Sequence, residues 1–164
     1  HAHIVDGRDV LEGRAEPAGR VVVVDELGFH QATSVAELLA DRGCAVEVVT
    51  NGMVVGQDLG ITLDLETWNV RAAAKGIAQA TDLVAMGAEA TEKGLLLRLQ
   101  HHPTGTDRDR DCDWVVAVTH QQPEDDLWRQ LAGGAVPVHR IGDCLAPRRA
   151  HAAVVEGHRV AVGL

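Results

Sequence analysis

The residues best placed to do chemistry follow the first β-branched run of the chain, which ends at Val23-Val24. In a dinucleotide site, such a strand runs into a G-x-G-x-x-G turn, whose amide groups and following helix meet a pyrophosphate. Here the turn starts with Asp25-Glu26 and keeps a single glycine. Acids at an anion position oppose phosphate binding, because like charges repel there. The candidate nucleotide contacts in this turn and the next helix are Gly28, Phe29, His30 and Ser34.

The second strand lacks the other half of dinucleotide recognition. An NAD site has Asp or Glu at the end of this strand to accept the ribose hydroxyls. This chain ends the strand with Thr50-Asn51 and keeps Glu47 inside it. The sequence therefore predicts that NAD(P) binding is lost at this position and that the fold serves as a scaffold.

Nine histidines and three cysteines raise the question of a metal site. The adjacent pair His101-His102, and His151 with His158, lack the i, i+4 spacing with a third ligand that zinc sites prefer. The cysteines never form a C-x-x-C pair, which favours buried thiols over a disulfide framework or a zinc ribbon. We therefore predict no metal ligands.

Acid–base or nucleophilic catalysis has little support. Ser34 lacks a G-x-S-x-G elbow, and Cys144, although it lies next to a predicted helix start, has no partner that the sequence identifies. We predict no catalytic residue in this chain. A free-standing enzyme with a novel site around His120, Asp143 and Cys144 is the least favoured alternative.

Charge and composition exclude several classes of function. The formal net charge is −9, whereas nucleic-acid binding needs a basic surface. No apolar run approaches the roughly 20 residues that cross a bilayer, and the first residues lack a signal-peptide core. We expect a cytoplasmic protein that binds neither nucleic acid nor membrane, and a homo-oligomer is compatible with the sequence.

The elements that must position these residues alternate between strands and helices. A strand over 20–24, a helix beginning near Val35 that Gly43 closes, and a strand over 45–50 form a parallel strand–helix–strand unit, with Ser34 or Thr33 as the helix cap. The fold class is α/β: a Rossmann-like three-layer domain, with a parallel sheet, helices on both faces and an antiparallel β-meander. The later elements are a helix over 64–75, meander strands over 80–86, 88–92 and 95–99, a loop over 103–111, a strand over 113–119, a helix over 124–131, a return strand over 136–141 and a helix from 148 to the end.

Four segments carry a likeness to a known family: the glycine-poor unit from Val21 to Leu39, Gly43 before the second strand, residues 55–62, and residues 140–147 with 157–159. With these residues the chain resembles the C-terminal region of trimethylamine dehydrogenase, histamine dehydrogenase and dienoyl-CoA reductase-like members of the Old Yellow Enzyme superfamily. In that family, a flavin-bearing (βα)8 barrel, often with an iron–sulfur cluster, precedes two domains similar to the FAD and NADPH domains of glutathione reductase.

The resemblance implies a domain order for this chain. Residues 1–19 form a lead-in, residues 20–135 the Rossmann-like NADPH-type domain, and residues 136–164 the return strand and C-terminal helix of the adjoining FAD/ADP-type domain. It implies a parent flavin-dependent oxidoreductase of amine dehydrogenase or enoate reductase type, with FMN and, in some members, a 4Fe-4S cluster. The partners it implies are the flavin-bearing barrel domain and an electron-transfer protein, while the isolated domain needs no cofactor and has a structural or docking role.

Two motifs transfer by position from relatives of the disulfide-reductase type. The strand end Val118-Thr119-His120 stands where those relatives have A-T-G at the crossing between nucleotide domains, with histidine in place of glycine. Gly142-Asp143 resembles a G-D pair whose carboxylate and following helix start serve a flavin or ADP. Thr119, Gly142 and Asp143 therefore complete the candidate contacts, and an ADP- or FAD-binding module is the alternative to the scaffold hypothesis.

Overall fold

The computed structural model describes residues 2–163, so the first residue of the predicted lead-in and the last of the predicted final helix lie outside it. The chain divides into two compact units, with the boundary between Thr119 and His120. Among the described residues, the first unit contains every strand and three helices, and the second unit contains two helices.

A five-stranded parallel sheet forms the centre of the first unit. Its strands are Ile4–Asp6 (β1), Arg20–Asp25 (β2), Ala45–Thr50 (β3), Ala78–Ala80 (β4) and Trp114–Val118 (β9). The order is β1-β9-β2-β3-β4, and every neighbouring pair is parallel. β2, β3 and β9 match the predicted strands, since their runs of valine suit strands that are covered on both faces.

Three helices cover one face of this sheet: Gly7–Leu11 (α1), His30–Asp41 (α2) and Leu65–Ala74 (α3). Their buried side chains, such as Leu39 of α2 and Trp68 of α3, share one apolar cluster with Val21 and Val23 of β2. As predicted, Gly43 follows the end of α2, and its φ of +86° lets the chain turn back into β3.

An antiparallel meander covers the opposite face. It consists of Leu83–Thr91 (β5), Gly94–His101 (β6), Thr106–Asp107 (β7) and Arg110–Cys112 (β8). Alternate leucines of β6, Leu95, Leu97 and Leu99, are buried in a second cluster with Val22 and Val24. The α/β class and the meander are confirmed, but the third layer is the meander and not a second layer of helices, because β6 presents a fully apolar face with period two.

The meander also differs in detail from its prediction. The strands expected over 80–86 and 88–92 are one strand, β5, with an irregularity between Ala85 and Gly87. The segment 103–111, expected as a loop, contributes β7 and most of β8, both of which pair with β6. Strands of two or three residues are too short to leave an alternation pattern in the sequence.

The predicted lead-in contributes an edge strand and a helix to the first unit. β1 pairs with β9 in parallel, with Val5 opposite Val116. Val10 of α1 is completely buried in the helix-side cluster. The Asp6 side chain caps α1 by accepting the N–H of Arg8 at 2.7 Å. Residues 4–11 therefore belong to the sheet and to the helical layer that packs on it.

The second unit contains Asp126–Leu131 (α4), a 3₁₀ turn over Gly142–Cys144 and Ala150–Gly163 (α5). Both helices were predicted. The predicted return strand over 136–141 does not form, although all of these residues are described, because a strand needs a hydrogen-bonding neighbour and this unit offers none. Of the described residues from 120 onward, only Asp125 and Gly142 are buried, so no apolar side chain there is fully covered.

Within residues 2–163, we find no helix that combines the length and the apolar character required to cross a membrane.

Candidate functional site

The candidate nucleotide contacts fall at two places in the chain. Four of them lie at or next to the carboxyl ends of β2 and β9, which are neighbours in the sheet: Gly28, Phe29, His30 and Thr119. Ser34 lies one turn further along α2 and is exposed. Gly142 and Asp143 lie in the second unit.

The carboxylate of Asp25 accepts hydrogen bonds from the backbone amides that would otherwise bind a phosphate. Its Oδ1 accepts hydrogen bonds from the N–H groups of Gly28 at 2.8 Å and Leu27 at 3.1 Å. The residue has no exposed surface, and its Oδ2 makes no hydrogen bond of normal geometry within the described part of the chain. Burial raises the pKa of Asp25, while the amides of Gly28, Leu27 and Gly56 oppose that rise. The acid that the sequence places at the phosphate position is thus an internal ligand of the turn.

The helix after this turn begins earlier than predicted. α2 starts at His30, and Phe29 precedes it with an extended backbone and no side-chain cap. The Thr33 hydroxyl donates to the carbonyl of His30 at 3.3 Å, inside the helix, so neither Thr33 nor Ser34 caps its start. The φ of +62° at Gly28 lets the chain turn directly into the helix, which begins five residues before the predicted start near Val35.

A second segment closes the turn from the other side. The N–H of Asp58 donates to the carbonyl of Gly28 at 2.8 Å. A Cβ atom at Gly28 would lie 3.7 Å from the backbone nitrogen of Gln57, so the 3₁₀ turn over Gln57–Ile61 packs against this glycine. The turn is therefore enclosed by the buried carboxylate of Asp25 and by the segment 57–58.

At the end of β3, where an NAD site has its acidic residue, this chain has Thr50. Thr50, at the end of β3, is buried, and its Oγ1 accepts the N–H of Gly52 at 3.2 Å. Glu47 is held within the strand by Arg110 of β8, whose Nε lies 2.8 Å from Oε2. Neither the Thr50 hydroxyl nor the Glu47 carboxylate is therefore positioned as the ribose-binding acid of an NAD site.

In the second unit, a carboxylate again takes the amide that a ligand would use. The N–H of Gly142 donates to Oε2 of Glu156 on α5 at 2.8 Å, and Glu156 also pairs with Arg148. The hydrogen bond from the Gly142 amide and, to a smaller extent, the Arg148 guanidinium hold the pKa of Glu156 below its usual range. Asp143 is exposed, and its Oδ1 accepts the N–H of Arg148 at 3.4 Å, so it supports the turn before α5.

The thiols and imidazoles form no candidate metal centre in residues 2–163, where no group of three or more potential ligands comes together. Cys112 is fully buried, and burial raises its pKa to about 11, so this thiol is protonated at neutral pH. Cys44 and Cys144 are half-buried and free. His101 contacts the hydroxyl of Thr104 at 2.7 Å.

The sequence interpretation did not predict the two carboxylates that accept these backbone amides. Asp25 binds the amides of the turn before α2, and Glu156 binds the amide of Gly142. The sequence does contain a signal for Asp25, because an aspartate at the end of a strand commonly accepts the N–H groups two and three residues later in an Asx turn. For Glu156 no local signal exists, since its partner Gly142 lies fourteen residues earlier in the chain.

Comparisons by sequence and by structure both find amine dehydrogenases or oxidases as similar proteins. No family model matches the chain. The N,N-dimethylglycine/sarcosine dehydrogenase of Chromohalobacter salexigens is 26% identical over 187 aligned positions, which cover 96% of this chain and 27% of that protein. Among solved structures, the 6-hydroxypseudooxynicotine amine oxidase of Pseudomonas geniculata N1 is 28% identical with a TM-score of 0.85, covering 96% of this chain and 24% of that one.

The histamine dehydrogenase of Rhizobium sp. 4-9 is 26% identical with a TM-score of 0.83, covering 99% of this chain and 26% of that one. The chain therefore spans about a quarter of the length of the relatives that it matches. The family resemblance drawn from the sequence is confirmed by these relatives.

Proposed function

We propose that this chain, which matches the C-terminal part of flavin amine dehydrogenases and reductases, is the non-barrel region of such an oxidoreductase and has a structural or docking role. The similarity extends over nearly the whole chain, which supports a shared architecture and not a single shared motif. In this proposal the redox chemistry belongs to a flavin-bearing barrel domain of the longer polypeptide, of amine dehydrogenase or enoate/dienoyl-CoA reductase type.

One observation carries the proposal that the first unit is a degenerate dinucleotide-binding fold. The amides of Leu27 and Gly28, which would meet a pyrophosphate, already donate to the chain's own Asp25. A phosphate at this place would have to displace a buried carboxylate and the segment 57–58 that packs on the turn. The first unit therefore acts through its surface and its rigidity, not through a bound nucleotide.

The second unit supports the assignment of residues 136–164 to an adjoining domain. Its apolar side chains are exposed to a degree that is unusual for a folded domain, with Val136 at 72% and Val154 at 71%. We propose that this segment completes an FAD/ADP-type domain whose remainder lies in the parent polypeptide. Burial of these side chains in that domain would supply the hydrophobic stabilisation that the segment lacks by itself.

The residues present do not fit the cofactors that the family implies. Three cysteines cannot supply the four thiolates of a 4Fe-4S cluster, so a cluster would be held by other parts of the parent enzyme. For ADP or FAD, the amides at Gly28 and Gly142 are already taken by Asp25 and Glu156. No step of a reaction is therefore assigned to this chain.

Calorimetric titration of the purified chain tests the proposal. We expect no heat of binding with NADH, NADPH, ADP or FAD up to millimolar concentration, while circular dichroism shows a cooperative thermal transition. Saturable binding of NADPH would contradict the loss of dinucleotide recognition. Saturable binding of ADP alone would favour the alternative, an adenine-nucleotide module.

The assignment to a larger flavin enzyme has a separate test. The gene that encodes the chain should encode a flavin-bearing barrel upstream in the same reading frame, and the product of that longer frame should show flavin absorbance. A reading frame without such a barrel would contradict the assignment.

A further inference from the structure

The turn over residues 25–28, with the start of α2, has the construction of an oxyanion site. Two consecutive amides, those of Leu27 and Gly28, converge on one oxygen atom at 3.1 and 2.8 Å. The twelve-residue helix α2 follows immediately, with no acid in its first turn and no side-chain cap, so the positive end of its dipole is not balanced by its own side chains.

The occupant of this site is a buried carboxyl group, which also interacts with a third backbone amide, that of Gly56. Asp25 has no exposed surface, and its Oδ2 makes no hydrogen bond of normal geometry within residues 2–163. Burying such an oxygen without a well-formed hydrogen bond costs free energy. A valine at this position would continue the apolar run of β2, so the carboxyl group is not explained by the packing of the strand.

Removal of the carboxyl group would leave the two amides without an acceptor. They are enclosed by the segment 57–58, whose Asp58 N–H bonds the carbonyl of Gly28. The group that these amides bind is a carboxylate carried on one methylene, which is smaller than a phosphate ester. The ligand class that suits this site is therefore a small monocarboxylate.

We propose that the turn over residues 25–28 is an oxyanion-binding site that the chain fills with its own Asp25 carboxylate, and that this internal ligand excludes external phosphate. The proposal deepens the loss of nucleotide binding argued above and rests on it. It makes Asp25 a specificity-determining residue: the fold keeps its anion-binding amides and satisfies them internally.

Chemical rescue of Asp25→Ala by formate tests the proposal. The variant loses the group that formate replaces, so its Tm should fall below that of the wild type and then rise by about 3 °C in 100 mM sodium formate, relative to sodium chloride of the same ionic strength. The wild type and Asp25→Asn, which keeps an oxygen acceptor in place, should not respond to formate. Inorganic phosphate should not rescue Asp25→Ala, because it is too large for the enclosed space.

Asp113→Ala is the matched control. The Asp113 carboxylate also accepts a backbone amide, that of Arg20 at 2.7 Å, but it is partly open to water and paired with the Arg20 guanidinium. Formate should therefore leave the Tm of this variant unchanged. An equal formate-induced rise in the Tm of Asp113→Ala or of the wild type would overturn the proposal. So would a folded Asp25→Ala whose Tm does not rise in formate, or whose Tm rises equally in phosphate.

If Asp25→Ala does not fold in chloride, its refolding yield in the two salts tests the same proposal. A higher yield of folded protein in formate than in chloride supports the proposal, and equal yields overturn it. The nucleotide titrations of the wild type remain a separate result. NADPH binding by the wild type would contradict the proposed function, whereas missing formate rescue without NADPH binding would contradict this inference alone.

Discussion

The guanidinium of Arg110 on β8 meets the carboxylate of Glu47 on β3 at two points, with Nε 2.8 Å from Oε2 and Nη2 3.0 Å from Oε1. The other Nη atom of Arg110 donates to the carbonyls of Arg108 and Asp109. Both side chains are largely buried, with 31% and 22% of their surfaces exposed. The pair joins the meander to the parallel sheet, and it explains an acid that lies between valines inside β3.

Replacement of Arg110 by alanine should therefore weaken the whole first unit. We expect the free energy of unfolding to fall by about 2 kcal/mol, because a partly buried carboxylate loses a charged donor at two points. Arg98→Ala is the control: Arg98 pairs with Glu89 and Asp109 in a more exposed position, so its loss should cost less than about 1 kcal/mol. Urea unfolding followed by tryptophan fluorescence measures both values. Equal losses for the two variants would contradict the structural role of the Arg110–Glu47 pair.

Asp25 should give stability a distinctive pH dependence. Burial raises the pKa of this carboxyl group in the folded state, so the folded protein binds its proton more tightly than the unfolded chain does. Its contribution to stability is then fully present below the unfolded pKa of about 4 and is lost as pH rises through the folded pKa. Asp25→Asn removes this proton, so its stability relative to the wild type should increase with pH over that window. Urea unfolding from pH 4 to pH 8 measures this difference.

Asp113→Asn should show the opposite sign. The Arg20 guanidinium and amide lower the pKa of Asp113, so its contribution is present above the unfolded pKa and is lost as pH falls through the folded pKa. The stability of this variant relative to the wild type should therefore decrease as pH rises from acid. The same sign for both variants would contradict the burial that we assign to Asp25.

Local patterns in the sequence predict the central strands and the major helices. Runs of Val in β2, β3 and β9, and the periodic apolar positions of α3, each contain enough residues to indicate their structure. Short elements such as β1 cannot be read in this way, because three residues carry no period. The return strand over 136–141 has the composition of a strand, but strand formation depends on a neighbour that composition does not report.

The candidate site illustrates a second limit. The single glycine and the acids of the turn are visible in the sequence and predict the loss of phosphate binding. The hydrogen bonds of the Asp25 carboxylate depend on backbone geometry that only tertiary structure fixes, namely the φ of +62° at Gly28 and the packing of Gln57 on that glycine. The same holds for Glu156, whose helix brings it to the amide of Gly142.

Gly94 should be the most sensitive glycine of the meander. It lies at the tight connection of β5 and β6 with a φ of +130°, and a Cβ atom there would lie 2.5 Å from the backbone oxygen of Cys112. Gly94→Ala should therefore cost about 3 kcal/mol, from backbone strain and from a clash with main chain that cannot move away. Gly105→Ala, where φ is +69° and no atom lies within 4 Å, isolates the strain and should cost about 1 kcal/mol. Thermal unfolding distinguishes the two, and equal costs would show that the contact with Cys112 is relieved.

The second unit should exchange its amide hydrogens much faster than the first. Protection against exchange follows the burial of apolar side chains, and α4 and α5 contain no buried residue. Among residues 120–163, the only buried side chain is that of Asp125, which pairs with Arg129 at 2.7 Å and with Arg140 at 2.5 Å. Exchange measured by mass spectrometry should therefore be complete within seconds to minutes in residues 126–131 and 150–163, while β2 and β3 retain protection for hours. Protection of the two helices equal to that of the strands would mean that the second unit is stabilised without apolar burial, and would contradict its assignment to a larger domain.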